Sequence, residues 1–280
     1  MPLAYYSVNT AEDFWTEHWG RQSVADLLAV ARRSPLTRLI VDALPPPEQG
    51  AVLEAGSGLG QYVILLRERG WRAIGADASG EALATCRLTA PVPLMQVELG
   101  RLPVHDRAFA AYVSLGVVEH DPEGPDRIVA EAARVLTPGG VLLLSVPYWN
   151  GVRRAGAPWV RRQSRAIAGS GGRFYQFAFS RAELASVIAR HGFELTAMHP
   201  YDPGRLLRRW LPRAKRGGAS SGGADAVTST GDALDRAARA RSRANGREGG
   251  GVRGALASLL YAPPVLRLLA HMILAVAVRR

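Results

Sequence analysis

Six short apolar runs, separated by amphipathic stretches of helical length, constrain this chain more than any other feature. They read AVLEAG, WRAIGAD, VPLMQVE, AAYVSLG, GVLLLSVP and FELTAMH. Runs this brief and this apolar belong in a sheet covered on both faces, and parallel strands joined by helical crossovers provide that cover. A doubly wound α/β sheet follows. The last apolar run, Met272 to Val278, has the length of a strand and is expected to pair with FELTAMH. That pairing turns everything between the two into an insertion between neighbouring strands.

Several boundaries follow from composition. Residues 1–34 are expected to be an N-terminal helical extension, and SPLTRLIVDALPPP reads as a helix closed by prolines. The core is expected over 35–202 and 267–280. Within it, residues 148–180 are too long for an ordinary strand-to-helix connection and too aromatic for a spacer, which suits a lid over a substrate. Residues 203–266 form an Arg/Gly-rich insertion expected to be largely flexible, with one short helix over 232–243. The apolar end of that region is interrupted by Pro263, Pro264, Arg267 and His271, which disfavours a membrane span. Residues 203–269 remain a candidate for peripheral membrane contact, with 255–269 as a helix lying on the surface.

The net charge of +11 over 280 residues is not spread evenly. Between Ala132 and Ala182 there are 8 Arg and no acid; between Pro203 and Arg253 there are 12 Lys plus Arg against 4 acids. The remainder of the chain is net acidic, so the basic balance belongs to the lid and the insertion. One cysteine, Cys86, excludes an internal disulfide framework and reads as a buried helix residue. No His/Cys spacing suits a metal. The first residues lack the basic start and apolar stretch of a secretory signal, so a cytoplasmic location is expected.

The first strand runs into V-L-E-A-G-S-G-L-G-Q-Y, Val52 to Tyr62. Glycine-rich turns from strand to helix bring bare backbone close to a ligand at the helix N-terminus. Here Gly56, Gly58 and Gly60 give G-x-G-x-G, one residue short of the dinucleotide spacing, and Glu54 stands two residues before the first glycine. A carboxylate there repels a pyrophosphate and attracts an ammonium or a sulfonium. Asp77, at the end of the next strand, is placed to accept from both hydroxyls of a ribose.

Glu54-Ala55-Gly56-Ser57-Gly58-Leu59-Gly60, with GADAS, LGVVEH and LTPGGVLLLSVP further on, resembles the class I S-adenosylmethionine-dependent methyltransferases of the broad small-molecule type, which includes the quinone-biosynthesis enzymes. The resemblance covers residues 50–200 and the final strand. It implies a Rossmann-like seven-stranded sheet with helices on both faces, its last strand antiparallel, and S-adenosylmethionine as cofactor. It also implies that Glu54, Gly56, Gly58 and Gly60 face the methionine portion, that Asp77 holds the ribose, and that Ala78 flanks the adenine. Glu98, where the family often has Asp, would lie near the adenine amino group with Leu99 beside the ring. Ser114, Leu115 and Gly116 would run along the cofactor. Where related sequences read FDLV, this one has Phe109-Ala110-Ala111-Tyr112.

Methyl transfer needs positioning and exclusion of water more than an elaborate set of catalytic groups. If a hydroxyl is methylated, His120 in VVEHD is the candidate base, against a purely structural role for His120 and Glu119 in the loop. The acid-free lid, with Arg153, Arg154, Arg161, Arg162, Arg165 and Arg173, suits an anionic small-molecule or glycan- or lipid-linked acceptor. Trp149, Trp159, Phe174, Tyr175 and Phe177 could stack on it, while Tyr5, Tyr6, Trp15 or Trp19 could cover the cofactor cleft. The alternatives are an RNA methyltransferase and a non-catalytic cofactor-binding protein of the same fold. LGVVEH in place of an Asn/Asp-Pro-Pro-Tyr/Phe motif, and the lack of a separate RNA-binding module, argue against nucleic acid.

Overall fold

The computed structural model describes residues 2–8, 19–204 and 259–280. The insertion's interior, including the helix expected over 232–243, lies outside them, as do Trp15 and His18.

The chain opens with a strand, β1 (Leu3–Ser7), followed by two helices, α1 (Val24–Arg33) and α2 (Pro35–Ala43). The wholly helical extension expected over 1–34 is thereby corrected. Leu-Ala-Tyr-Tyr-Ser has the aromatic content of a strand, and its partner lies about 170 residues away, beyond the reach of local pattern. Ser34 both ends α1 and caps α2, its Oγ accepting from Leu36 N at 3.2 Å, with Pro35 in the first turn where a missing N–H costs nothing.

The core then alternates strand and helix. It runs β2 (Ala51–Ala55), α3 (Gln61–Glu68), β3 (Arg72–Asp77), α4 (Gly80–Thr89), β4 (Leu94–Gln96), β5 (Phe109–Leu115), α5 (Asp126–Val135) and β6 (Leu136–Pro147). Pro138, Gly139 and Gly140 fall inside the irregular start of β6, where the register against β5 shifts and Gly139 has φ +77°. After the lid come α8 (Arg181–Arg190), β8 (Phe193–Tyr201), α9 (Pro263–Leu269) and β9 (Met272–Arg279). The lid itself holds α6 (Gly151–Ala155), α7 (Ala157–Gly169) and β7 (Arg173–Ala178).

The main sheet has seven strands in the order β4-β3-β2-β5-β6-β9-β8, parallel except for β9, which runs antiparallel between β6 and β8. The expected fold is therefore the observed one. Two apolar clusters cover its faces: α5 and α8 side chains pack on one, α1 to α4 on the other. Such double cover accounts for the near-continuous apolar runs of the central strands. Successive strands leave β2 in opposite directions, so β2 and β5 flank a topological switch point whose strand ends form the usual ligand crevice.

β1 and β7 make a separate antiparallel pair, with the Tyr6 and Phe174 rings edge-on at 6.0 Å. Ser164 Oγ of α7 donates to Ala4 O at 3.1 Å, so the N-terminal strand is built into the lid. A second tie joins the lid to the main sheet. Arg153 donates from Nη1 to Tyr148 O at 2.6 Å and His271 O at 3.1 Å, and its Nη2 lies 2.7 Å from His271 Nδ1. Asn150 Nδ2 donates to Ala270 O at 2.7 Å from a fully buried position. These bonds fasten the root of α6 to the start of β9. Replacing Arg153 with Ala should lower unfolding stability by about 2 kcal/mol, because two carbonyls lose a charged donor; a denaturant midpoint equal to wild type would contradict this clasp.

Candidate cofactor-binding site

The turn after β2 is held by the neighbouring strand. Gly56 N and Ser57 N both donate to Ala76 O, at 2.7 and 3.0 Å, and Gly58 N donates to Asp77 Oδ2 at 2.7 Å. The other oxygen of Asp77 accepts from Ser79 N at 2.9 Å. Asp77 thus braces the ends of β2 and β3 together and retains lone pairs on both oxygens. Gly58 has φ +51°, and a β-carbon there would sit 2.6 Å from the Trp19 indole, which lies on the turn. Gly60, with φ +71°, starts α3 without a side-chain cap, and a β-carbon on it would collide with Cys86 Sγ.

Beneath this turn Glu54 is 2% exposed, and its Oε2 has no hydrogen-bond partner. Burial pushes its carboxyl well above the ordinary 4.5; the Val63 N–H opposes that rise and the charge of Asp77 adds to it. Ser57 Oγ, Gln61 Oε1, Ser114 Oγ and Glu119 Oε2 are likewise buried and unpartnered. Buried polar atoms are rarely left so, and four of these five residues lie at the ends of β2 and β5 or in the turn and helix start after β2. An acidic group, two hydroxyls and an amide oxygen, buried at the ends of neighbouring strands and in the turn between strand and helix, form a set suited to a polar, partly cationic ligand.

The expected site residues divide into two groups. Glu54, Gly56, Gly58, Gly60 and Asp77 come together around the turn; Ser114, Leu115 and Gly116 end β5 beside it, Gly116 N donating to Ser145 O at 2.9 Å. Ala78 follows Asp77, and its carbonyl accepts from Gln96 Nε2 at 3.2 Å. Leu99 is 8% exposed. Glu98 is engaged elsewhere: Oε1 accepts from Gly100 N at 2.9 Å and Oε2 from Arg127 Nη1 at 2.8 Å, on a half-exposed surface.

His120 lies in the turn 118–120 after β5. Its Nδ1 is 2.8 Å from Tyr175 O, and the two rings meet edge-on at 5.1 Å. A carbonyl can only accept, so Nδ1 carries the proton and Nε2 is the basic nitrogen. The neighbouring Glu119 is 2% exposed, burial raising its carboxyl to about 8. Ser57, Gln61 and Glu119 were not singled out as ligand-facing by sequence, since small or ordinary polar residues next to a motif carry no distinct signal; the structure singles them out by burial without a partner. Among the described residues no cluster of His, Cys, Asp or Glu could hold a metal.

Comparison with known proteins gives the following likenesses. Residues 53–144 match the methyltransferase domain family. A Mycolicibacterium smegmatis protein named "Probable S-adenosylmethionine-dependent methyltransferase" is 37% identical over 97 residues, 34% of this chain and 37% of that protein. An uncharacterized methyltransferase of Mycobacterium bovis is 31% identical over 157 residues, 56% of this chain and 62% of its own length. The chain spans about a third of the length of the first curated relatives it matches. Among solved structures, an S-adenosylmethionine-dependent methyltransferase from Mesorhizobium loti aligns over 89% of this chain and all of its own, with TM-score 0.55 and 15% identity. Geranyl diphosphate C-methyltransferase of Streptomyces coelicolor, crystallised with S-adenosyl-L-homocysteine, aligns over 100% and 90% with TM-score 0.53 and 15% identity. These two likenesses concern the fold.

The turn's packing yields a test. Gly60→Ala should destabilise the protein by more than the roughly 1–2 kcal/mol of left-handed strain, because the new methyl meets Cys86. Adding Cys86→Ala should recover part of that loss. Urea unfolding that finds the double variant no better than Gly60→Ala alone would contradict the contact.

Proposed function

We propose that this chain, a member of the class I S-adenosylmethionine-dependent methyltransferases, binds that cofactor at the glycine turn and transfers its methyl group to an anionic small-molecule or glycan- or lipid-linked acceptor. The observation that carries the reading is Glu54, a sealed carboxyl with an unpartnered oxygen directly under the turn. The cofactor's amino-acid end carries an ammonium that a carboxylate would hold, and a carboxylate that uncapped helix amides would hold. Glu54 and the first turn of α3, which has no side-chain cap, offer both within one loop.

When bound, S-adenosylmethionine supplies a sulfonium-activated methyl group open to in-line displacement. The chain's own residues bind, orient and exclude water. Asp77 accepts from the ribose hydroxyls with the lone pairs left over from Gly58 and Ser79. Ala78 and Leu99 flank the adenine, and Ser114, Leu115 and Gly116 form the wall at the end of β5. Trp19, lying against Gly58, covers the turn from the N-terminal side. Glu98 would meet the adenine amino group only by sharing its carboxylate with Arg127.

Support for an anionic acceptor comes from the lid. Arg154, Arg161, Arg162 and Arg165 are exposed and form no ion pair among the described residues. Arg153, one of the expected acceptor contacts, is instead used in the clasp to Tyr148 and His271. His120 is tied to the lid through Tyr175 O, with its Nε2 4.0 Å from Glu119 Oε1, and would serve as the base for an acceptor proton.

Incubation with methyl-labelled cofactor and fractionated cell extract tests the reading. Label should enter an anionic small-molecule, glycan or lipid fraction and be lost with Glu54→Gln; label in RNA, or none at all, would contradict it. His120→Ala should lower turnover at least tenfold while cofactor affinity is kept. Unchanged turnover across a pH series would remove the base.

A further inference from the structure

We propose that the face built from α6, α7 and the segment 259–268 seats the protein on an anionic lipid bilayer. Among the described residues seven large apolar side chains are exposed, and five of them, Val152, Trp159, Leu259, Tyr261 and Leu268, belong to these two stretches of chain. Trp159 is 62% exposed, Leu259 65% and Leu268 53%. The stretches are adjacent in space: α6 packs on α9, with Leu268 lying over Gly151, and α7 follows α6 directly. Leu259 joins the same segment through the turn in which Ala262 N donates to Leu259 O at 3.1 Å.

Charge selects the occupant. Neither stretch contains an acid, and Arg154, Arg161, Arg162, Arg165 and Arg267 on the same two stretches are exposed. An anionic bilayer matches both features at once: headgroups meet the guanidinium groups, while Trp and Leu side chains enter the boundary with the acyl chains. RNA would satisfy the arginines and leave the leucines in water. A second copy docked on the same face would set arginine against arginine. No helix among the described residues is long and apolar enough to cross a membrane, so the contact is peripheral. The inference stands on this surface alone, and its test reads vesicle binding, not methyl transfer.

Sedimentation of the full chain with vesicles of phosphatidylcholine, alone or mixed equally with phosphatidylglycerol, gives the test. Partitioning should be at least about tenfold stronger on the anionic vesicles and should weaken as salt is raised. The variant Trp159→Ser with Leu268→Ser, and separately Arg154→Gln with Arg162→Gln and Arg165→Gln, should each reduce it about tenfold with affinity for S-adenosylhomocysteine retained. Should either variant fail to fold, the lipid and salt dependence of the unmodified chain decides. Absent binding, equal binding to neutral vesicles, or binding that both variants leave intact would overturn the proposal. So would self-association that the same variants abolish without any vesicle binding, which would assign the face to a second copy.

Discussion

A carboxyl group sealed from water beneath a turn of glycines is the constraint on which the arrangement depends. Taking an ionised carboxylate out of water is costly unless something pairs it, and among the described residues it is the Val63 N–H that opposes that cost for Glu54. A Gln or Met would fill the position without that cost. Burial favours its neutral form, and a cation bound at the turn would favour the ionised one. The surrounding scaffold serves that placement. The switch point opens the strand ends, Ala76 and Asp77 fix the turn above, and Cys86 and Trp19 occupy the space that the absent side chains leave.

The second organising element is the lid, which is less a loop than a small layer of its own. Two helices and a β-strand pair, one strand of it from the N-terminus, stand on the sheet through Arg153, Asn150 and the His120–Tyr175 contact. This explains how a connection of such length remains ordered, and it divides the lid's arginines by job. Arg153 holds the layer down, Arg161 stacks over Trp149 at 5.7 Å, and the remainder face outward.

The main sheet was legible because its signal is local and repeated: each apolar run between helices reports double burial by itself. The glycine turn between β2 and α3 was legible because close glycine spacing after an apolar run marks a tight strand-to-helix turn. What sequence did not reveal depends on distant partners. β1 is five residues long and is defined by pairing with Arg173–Ala178. Arg153 reads as a contact for an anionic acceptor until His271, 118 positions away, is brought beside it. Glu98 keeps the expected charge, yet Arg127 from α5 engages it. Ser57, Gln61 and Glu119 gain meaning only from burial without a partner, a three-dimensional property.

The most direct measurement is calorimetric titration with S-adenosylhomocysteine in buffers of different ionisation enthalpy, which counts protons exchanged on binding. Because burial raises the Glu54 carboxyl in the free protein, it is protonated below that elevated value, and a bound ammonium would lower it again. Binding should therefore release a proton in the window between the ordinary carboxylate range and the elevated value, affinity rising with pH across it. Glu54→Gln should abolish both the release and the rise. Tight binding with no Glu54-dependent proton release, or affinity that falls as pH rises through that window, would contradict the account.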